Sequence, residues 1–165
     1  MSTSVKRYPK EPYIGVDCSG QPKEPPLFAV ATRNSRRGRQ HKCVARVTKK
    51  KIEVYRKKYS DWQEKLYAAL FFKVIDKVFQ KDYEIHIDKE LPNMKTQNAV
   101  YKYLLRLFGM VHAGEIEKQK PEICFVTDRS CKYVKHADTK AGLARDGKIG
   151  IDEKEAAIDY LMRLL

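Results

Sequence analysis

Apolar and polar positions along this chain repeat with two different periods. Y-I-G-V-D at residues 13–17 is a short apolar run followed by Cys18-Ser19-Gly20, which predicts a strand and its exit turn. After Pro25-Pro26, L-F-A-V-A-T from Leu27 to Thr32 predicts a second strand, and Cys43 to Val47 a third, continued by Ile52 to Tyr55. The second and third form an antiparallel hairpin with the loop Arg33 to Lys42 at its tip. Ser60 stands three residues before Gln63, a capping-box spacing. The apolar period then lengthens to that of a helix from about Asp61 to Phe79. Tyr83 to Asp88 alternates, with Tyr83, Ile85 and Ile87 on one face and Glu84, His86 and Asp88 on the other. Pro92 ends that run. A second helix is predicted from about Lys95 to Phe108, stopped by Gly109. Ile123 to Asp128 reads as a fifth strand, Ala137 to Arg145 as a short helix closed by Asp146-Gly147, and Asp152 as the cap of a last helix to Leu165. Ala156, Ala157, Tyr160, Leu161 and Leu164 are its packing positions.

The order β-β-β-α-β-α-β-α-α, without internal repeat or linker, predicts one α/β domain over 13–165: a mixed sheet with helices packed on it. Residues 1–12 are polar, basic and punctuated by proline, and read as a flexible arm. In such sheets sites form beyond the carboxyl ends of strands.

Charge adds a partner class. Lys and Arg number 34 against 21 acids, a net charge of +13, which attracts polyanions. Between Arg33 and Lys58 stand 12 basic residues and one acid, Glu53. Arg36, Arg37, Arg39 and Lys42, in the loop that Arg33 opens, make one knot; Lys49, Lys50 and Lys51 make another, and all eight are candidates for binding nucleic acid. Two such runs in succession point to a surface that follows phosphates, although either alone would serve as a solvated loop. Tyr55, Tyr59 and Trp62 lie among or beside them and are candidates for stacking on bases; Trp62 better suits packing at a helix start.

Cysteine narrows the setting. Cys18, Cys43, Cys124 and Cys131 lack the close pairs of a zinc site; Cys43 and Cys124 lie in apolar runs and read as buried thiols. No signal-peptide pattern and no apolar run near the ~20 residues of a membrane span is present. A reducing cytosol and no membrane partner are expected.

Three apolar strands end in acid: Asp17, Asp88 and Asp128. Any one alone is an ordinary turn residue. Were the first and fourth strands neighbours, Asp17 and Asp88 would approach, and close carboxylates need a cation or a shared proton. Glu64 heads the apolar stripe Ala68, Phe71, Ile75 and Val78 on the long helix. There it is favoured by the helix N-terminus, or else reaches the rim or pairs with a lysine. Asp138, in H-A-D-T-K-A-G-L-A-R at 136–145, shares a helix face with Ala141, Gly142 and Arg145, or serves as an N-cap. Such oxygen ligands select Mg²⁺ or Mn²⁺.

This order of elements and acids resembles the ribonuclease-H-like superfamily. Y-I-G-V-D-C-S-G at 13–20, I-H-I-D-K at 85–89 and V-K-H-A-D-T-K-A-G-L-A-R at 134–145 are similar to the I-D-E-S-G opening, the I-D-K strand and the Q-x-A-D-x-x-A-G closing motif of a large uncharacterised prokaryotic family with that fold. K-H-A-D-T-K also partly echoes ribonuclease HII. The resemblance implies a five-stranded ribonuclease-H-like sheet. It implies hydrolysis of phosphodiester bonds in RNA, DNA or a hybrid by two Mg²⁺ or Mn²⁺ ions about 4 Å apart. Asp17, Glu64, Asp88 and Asp138 would be catalytic and metal-holding, with Asp128 as a further ligand and His86 or His136 as proton relays. Cys18 stands where both families carry an acid, so a catalytically inactive nucleic-acid-binding module of the same fold, or a ribonucleoprotein component, is the alternative. The sequence leaves the oligomeric state open.

Overall fold

The computed structural model describes residues 13–34, 39–80, 83–88, 91–112, 121–126, 131–153 and 155–165. The expected arm at 1–12, Arg36, Arg37 and Asp128 lie outside them. Five strands, β1 (Tyr13–Gln21), β2 (Glu24–Asn34), β3 (Gln40–Val47), β4 (Glu84–Asp88) and β5 (Ile123–Val126), form one mixed sheet in the order β3-β2-β1-β4-β5. β2 is antiparallel to β1 and β3, while β1, β4 and β5 run parallel. The helices are α1 (Lys49–Lys58), α2 (Trp62–Val78), α3 (Met94–Val111), α4 (Lys132–Arg145) and α5 (Glu155–Leu164). Among the described residues no helix is long and apolar enough to cross a membrane.

Alternation along the strands sorts the two layers. Ile14, Val16, Leu27, Ala29, Ala31, Ala45, Ile85 and Ile87 point to one face and form the main core with α1, α2, α3 and α5. Tyr13, Phe28, Val30 and Val44 point to the other, where α4 is the one helix among the described residues and Ile149 and Ile151 pack beside it. α4 presents Val134, Ala137, Ala141 and Ala144 to the sheet, a helical stripe of small residues that permits close packing. Gly15 takes the approach further. A Cβ there would stand 2.2 Å from the Tyr133 carbonyl carbon, so the first turn of α4 rests directly on β1. Thr32 Oγ1 donates to the Tyr133 carbonyl at 3.1 Å and fixes the contact.

Several expected boundaries move for identifiable reasons. The stretch after Val47 is helix, not strand: Ile52 and Tyr55 are buried one turn apart, while Val54 is exposed. α2 is preceded by Asp61 in a left-handed conformation, φ 50°, with no side-chain cap in place of the expected capping box. α3 passes through Gly109, around which a Cβ would meet nothing, because Leu107 and Phe108 anchor the last turns. α4 starts at Lys132, so Asp138 is mid-helix and not an N-cap, and Gly142 makes no close packing contact. In α5 the buried residues are Ile158, Leu161 and Met162, whereas Ala156 and Tyr160 face solvent.

Asp152 is not a helix cap. Its Oδ2 accepts from the Val44 N–H at 2.8 Å, and the Asp152 and Glu153 N–H groups donate to the Val44 carbonyl. The segment thereby covers the outer edge of β3, an edge that would otherwise invite pairing with other chains.

Arg33 is drawn inward. It is buried, its Nε donates to the Val78 carbonyl at 2.7 Å and its guanidinium lies over the Tyr83 ring at 5.3 Å. It therefore satisfies one of the carbonyls left open at the end of α2. Arg33→Met is expected to lower stability by about 2 kcal/mol, by leaving that acceptor buried and unpaired; urea unfolding of the two proteins measures it.

Candidate active site

The side chains of Asp17, on β1, and Asp88, at the end of β4, both belong to the α4 face. The parallel register pairs Val16 with Ile87, which places Asp17 and Asp88 next in line on adjacent strands. Both are buried. Asp138 comes down from the exposed side of α4, one turn after Val134, and its carboxyl meets that of Asp17.

Asp17 is the electrostatic centre of this group. Its Oδ1 accepts from the Cys18 N–H at 2.8 Å, while Oδ2 is buried without a hydrogen-bond partner. Burial first, then the Asp138 carboxyl, then the charge of Asp88 push its pKa up to about 9, against the single lowering effect of the Cys18 N–H. As carboxylates Asp17 and Asp138 are both acceptors and nothing joins them; with a proton between them the same contact becomes a hydrogen bond. Among the described residues no three His, Cys, Asp or Glu side chains are gathered tightly enough to hold a metal ion as they stand. The three aspartates form an open group.

The chain matches no family model, no curated protein and no solved structure. The arrangement of its own side chains is thus the ground for any functional reading.

Glu64 lies on the other side of the sheet. It stands half-buried in the first turn of α2, and its charge acts on Tyr67 and Tyr103. Burial first, then Cys18 and Glu64, push the Tyr67 phenol upward. Glu64 opens into a hollow of about 510 Å³ beyond the strand ends, with Asp61, Tyr67, Asn93 and Thr96. Cys18 packs against the α2-side core, on the face opposite Asp17. An acid at position 18 would therefore face Tyr67, and the cysteine removes no oxygen from the aspartate group. All four cysteines are thiols and not disulfides; Cys43 and Cys131 are buried, Cys18 and Cys124 half-buried.

The two histidines proposed as proton relays differ. His86 is buried on the acid face, its Nε2 3.0 Å from Glu84 Oε2 and its ring against Tyr13. His136 is exposed on α4, edge-on to Tyr133.

Strand register separates the two basic knots. Gly15, Thr32 and Lys42 share one row of the sheet, and Ser19, Phe28 and Arg46 another. The β2–β3 tip, with Arg39 and Lys42 exposed, therefore lies at the amino end of β1, away from Asp88. Lys49 and Lys50 lie past the other end of β3, about 20 Å along the strand from Lys42. They stand at the same end of the sheet as the acids. Lys49 joins Lys23, Arg56 and half-buried Trp62 around a hollow of about 580 Å³ there, which Glu24 and Glu53 also line. Lys51 instead pairs with Asp159 at 2.8 Å, and Tyr55, buried, donates its hydroxyl to the same carboxylate at 2.6 Å. Neither Lys51 nor Tyr55 is thus presented to a ligand; Tyr59 carries Lys58 and Lys65 over its ring.

Sequence reasoning missed Gly15 and Thr32, which seat α4 and so bring Asp138 to Asp17. The signal for Gly15 was present: a lone glycine inside a strand pattern marks a close backbone approach.

Proposed function

We propose that this chain is a metal-dependent nuclease of ribonuclease-H-like fold that hydrolyses phosphodiester bonds in nucleic acid. The observation that carries the reading is the convergence of Asp17, Asp88 and Asp138, from three distant segments, on one sheet face, with a buried Asp17 oxygen left without a partner. The strand order and directions support the fold assignment that the three motifs suggest.

The donor set fits a hard divalent cation. Its oxygens are carboxylate, and the orphaned Oδ2 of Asp17 would gain the partner it lacks. A bound Mg²⁺ or Mn²⁺ would polarise the phosphoryl group and lower the pKa of a water. Asp17 would hold it through Oδ2, kept in orientation by the Cys18 N–H, with Asp88 and Asp138 alongside. Asp17 must release its proton for this, so affinity rises with pH. Glu64 reaches only from the strand-end hollow, and Lys23, Lys49 and Arg56 line the neighbouring one beside Glu24 and Glu53.

The test is cleavage of labelled RNA, DNA and hybrid in Mn²⁺ by wild type and Asp88→Asn. Wild type is expected to cleave at least one substrate, and the variant to be about a hundredfold slower or worse. Equal rates would remove Asp88 from the chemistry. Inertness of both proteins would overturn the nuclease reading in favour of the binding module.

A further inference from the structure

We infer that the outer face of α3 is a track for the phosphate backbone of nucleic acid, a site that deepens the nucleic-acid reading and rests on its polyanion partner, not on its acids. Lys95, Lys102 and Arg106 lie seven and then four residues apart. At 100° and 1.5 Å per residue they fall on one line of the helix, about 10 and 6 Å from one another. All three are exposed, and together with Asn98, Ala99 and Tyr103 they line a shallow hollow of about 710 Å³ that contains no acid. Among the described residues none of the three has an ion-pair partner, whereas Lys51 and Lys77 pair with acids.

The neighbouring helix extends the same field. Lys65 of α2 lies 5.9 Å over the Tyr103 ring and 6.0 Å over that of Tyr59. The Tyr103 hydroxyl is held by Asp61 at 3.1 Å, so this ring is a fixed wall of the hollow and not a free stacking platform. Contacts would therefore be to phosphates and independent of base sequence. A line of unneutralised like charges on one helix is unfavourable by itself and is relieved by a polyanion laid along it.

Position links the track to the acid end of the sheet. α3 begins beyond β4, where Asn93 and Thr96 line the hollow that holds Glu64, and Lys95 and Asn98 line the track. A strand following Arg106, Lys102 and Lys95 is led towards the ends of β1 and β4. The stretch between Arg33 and Lys58, which dominates the charge of the sequence, contributes nothing to this line.

The experiment measures binding of fluorescent single-stranded and duplex oligonucleotides without divalent metal, across a salt series. Lys95→Gln/Lys102→Gln/Arg106→Gln is expected to weaken binding about tenfold or more and to lower the log–log salt slope by about 2–3. The control Lys57→Gln/Lys148→Gln/Arg163→Gln removes the same charge from exposed positions elsewhere and is expected to retain most of the affinity. Equal losses in the two triples, or none in the first, would overturn the track, as would competition by polyglutamate matching that of nucleic acid, which would assign the face to an acidic protein. Cleavage in Mn²⁺ reports separately on the acids: wild type that cleaves, beside an α3 triple that binds and cleaves unchanged, removes the track alone. Inert wild type whose α3 triple loses binding removes the nuclease reading alone.

Discussion

Asp17→Asn is expected to stabilise the metal-free protein at pH 8 while lowering cleavage about a thousandfold. The two effects have one origin. Asp17 ionises near 3.8 in an ordinary exposed setting but is held at about 9 here, chiefly by burial and then by Asp138 and Asp88. Between those values the folded state keeps a proton that the unfolded chain has released, so metal-free stability falls as pH rises through that window. The amide keeps the acceptor that meets the Cys18 N–H, offers a donor towards Asp138 and never ionises. It should therefore add about 1–2 kcal/mol at pH 8, a rise in melting temperature of about 5 °C, and flatten the decline between pH 5 and pH 9.

Metal reverses the ranking. For the native carboxylate, Mn²⁺ should raise the melting temperature more at pH 8 than at pH 6, because binding must displace the proton. For Asp17→Asn the shift should vanish. Loss of several kcal/mol of charge stabilisation in the transition state corresponds to the thousandfold drop in rate. Thermal melts at three pH values, with and without Mn²⁺, read all of this in one series. A variant that melts at or below wild type at pH 8, and that still responds to Mn²⁺, would show that Asp17 is not the strained, cation-seeking group described.

Local patterning carried most of the strands and the long helices, because alternation and the helical period are written directly in burial. Glu84, His86 and Asp88 share a face as alternation requires, and Ala68, Phe71, Ile75 and Val78 of α2 are all buried. Features set by distant partners were not legible. Asp152 looks like a cap until Val44 claims its carboxylate. Lys51 belongs to a run of three lysines, but only Asp159, more than a hundred residues away, distinguishes it from Lys49 and Lys50. Arg33 is the extreme case: placed at the start of a basic loop, it ends under Tyr83 at the close of α2.

The candidate site shows the same division. That Asp17 and Asp88 would meet depended on strand order, which no local pattern encodes, and the parallel β1–β4 pairing supplies it. Glu64 was read correctly as the head of the α2 stripe, yet that stripe packs on the face opposite the aspartates. One sheet therefore divides the four acids into three and one. The two basic knots in succession suggest one phosphate-following surface, but β3 carries Arg39 and Lys42 to one end of the sheet and Lys49 and Lys50 to the other. Three cations at seven- and four-residue spacing on α3 are indistinguishable in sequence from an ordinary solvated helix face.

Gly15→Ala and Gly142→Ala are expected to move stability in opposite directions. A Cβ at Gly15 would lie 2.2 Å from the Tyr133 carbonyl carbon, 2.3 Å from its oxygen and 2.5 Å from the Val134 nitrogen. All three atoms are backbone, so no rotamer change relieves the clash and α4 must lift from β1. That lift breaks the Thr32–Tyr133 hydrogen bond and withdraws Asp138 from Asp17. Overpacking of this kind costs about 3 kcal/mol or more, a fall in melting temperature of about 10 °C. At Gly142 a Cβ would meet nothing within 4 Å; there alanine replaces the poorest ordinary helix former inside α4 and should add up to about 1 kcal/mol. If Gly15→Ala retains a fold, its Mn²⁺ shift should shrink with the displacement of Asp138, whereas that of Gly142→Ala should be preserved. Equal melting temperatures for the two variants would mean that α4 does not rest on β1 at Gly15, and the route by which Asp138 reaches the site would be lost with it.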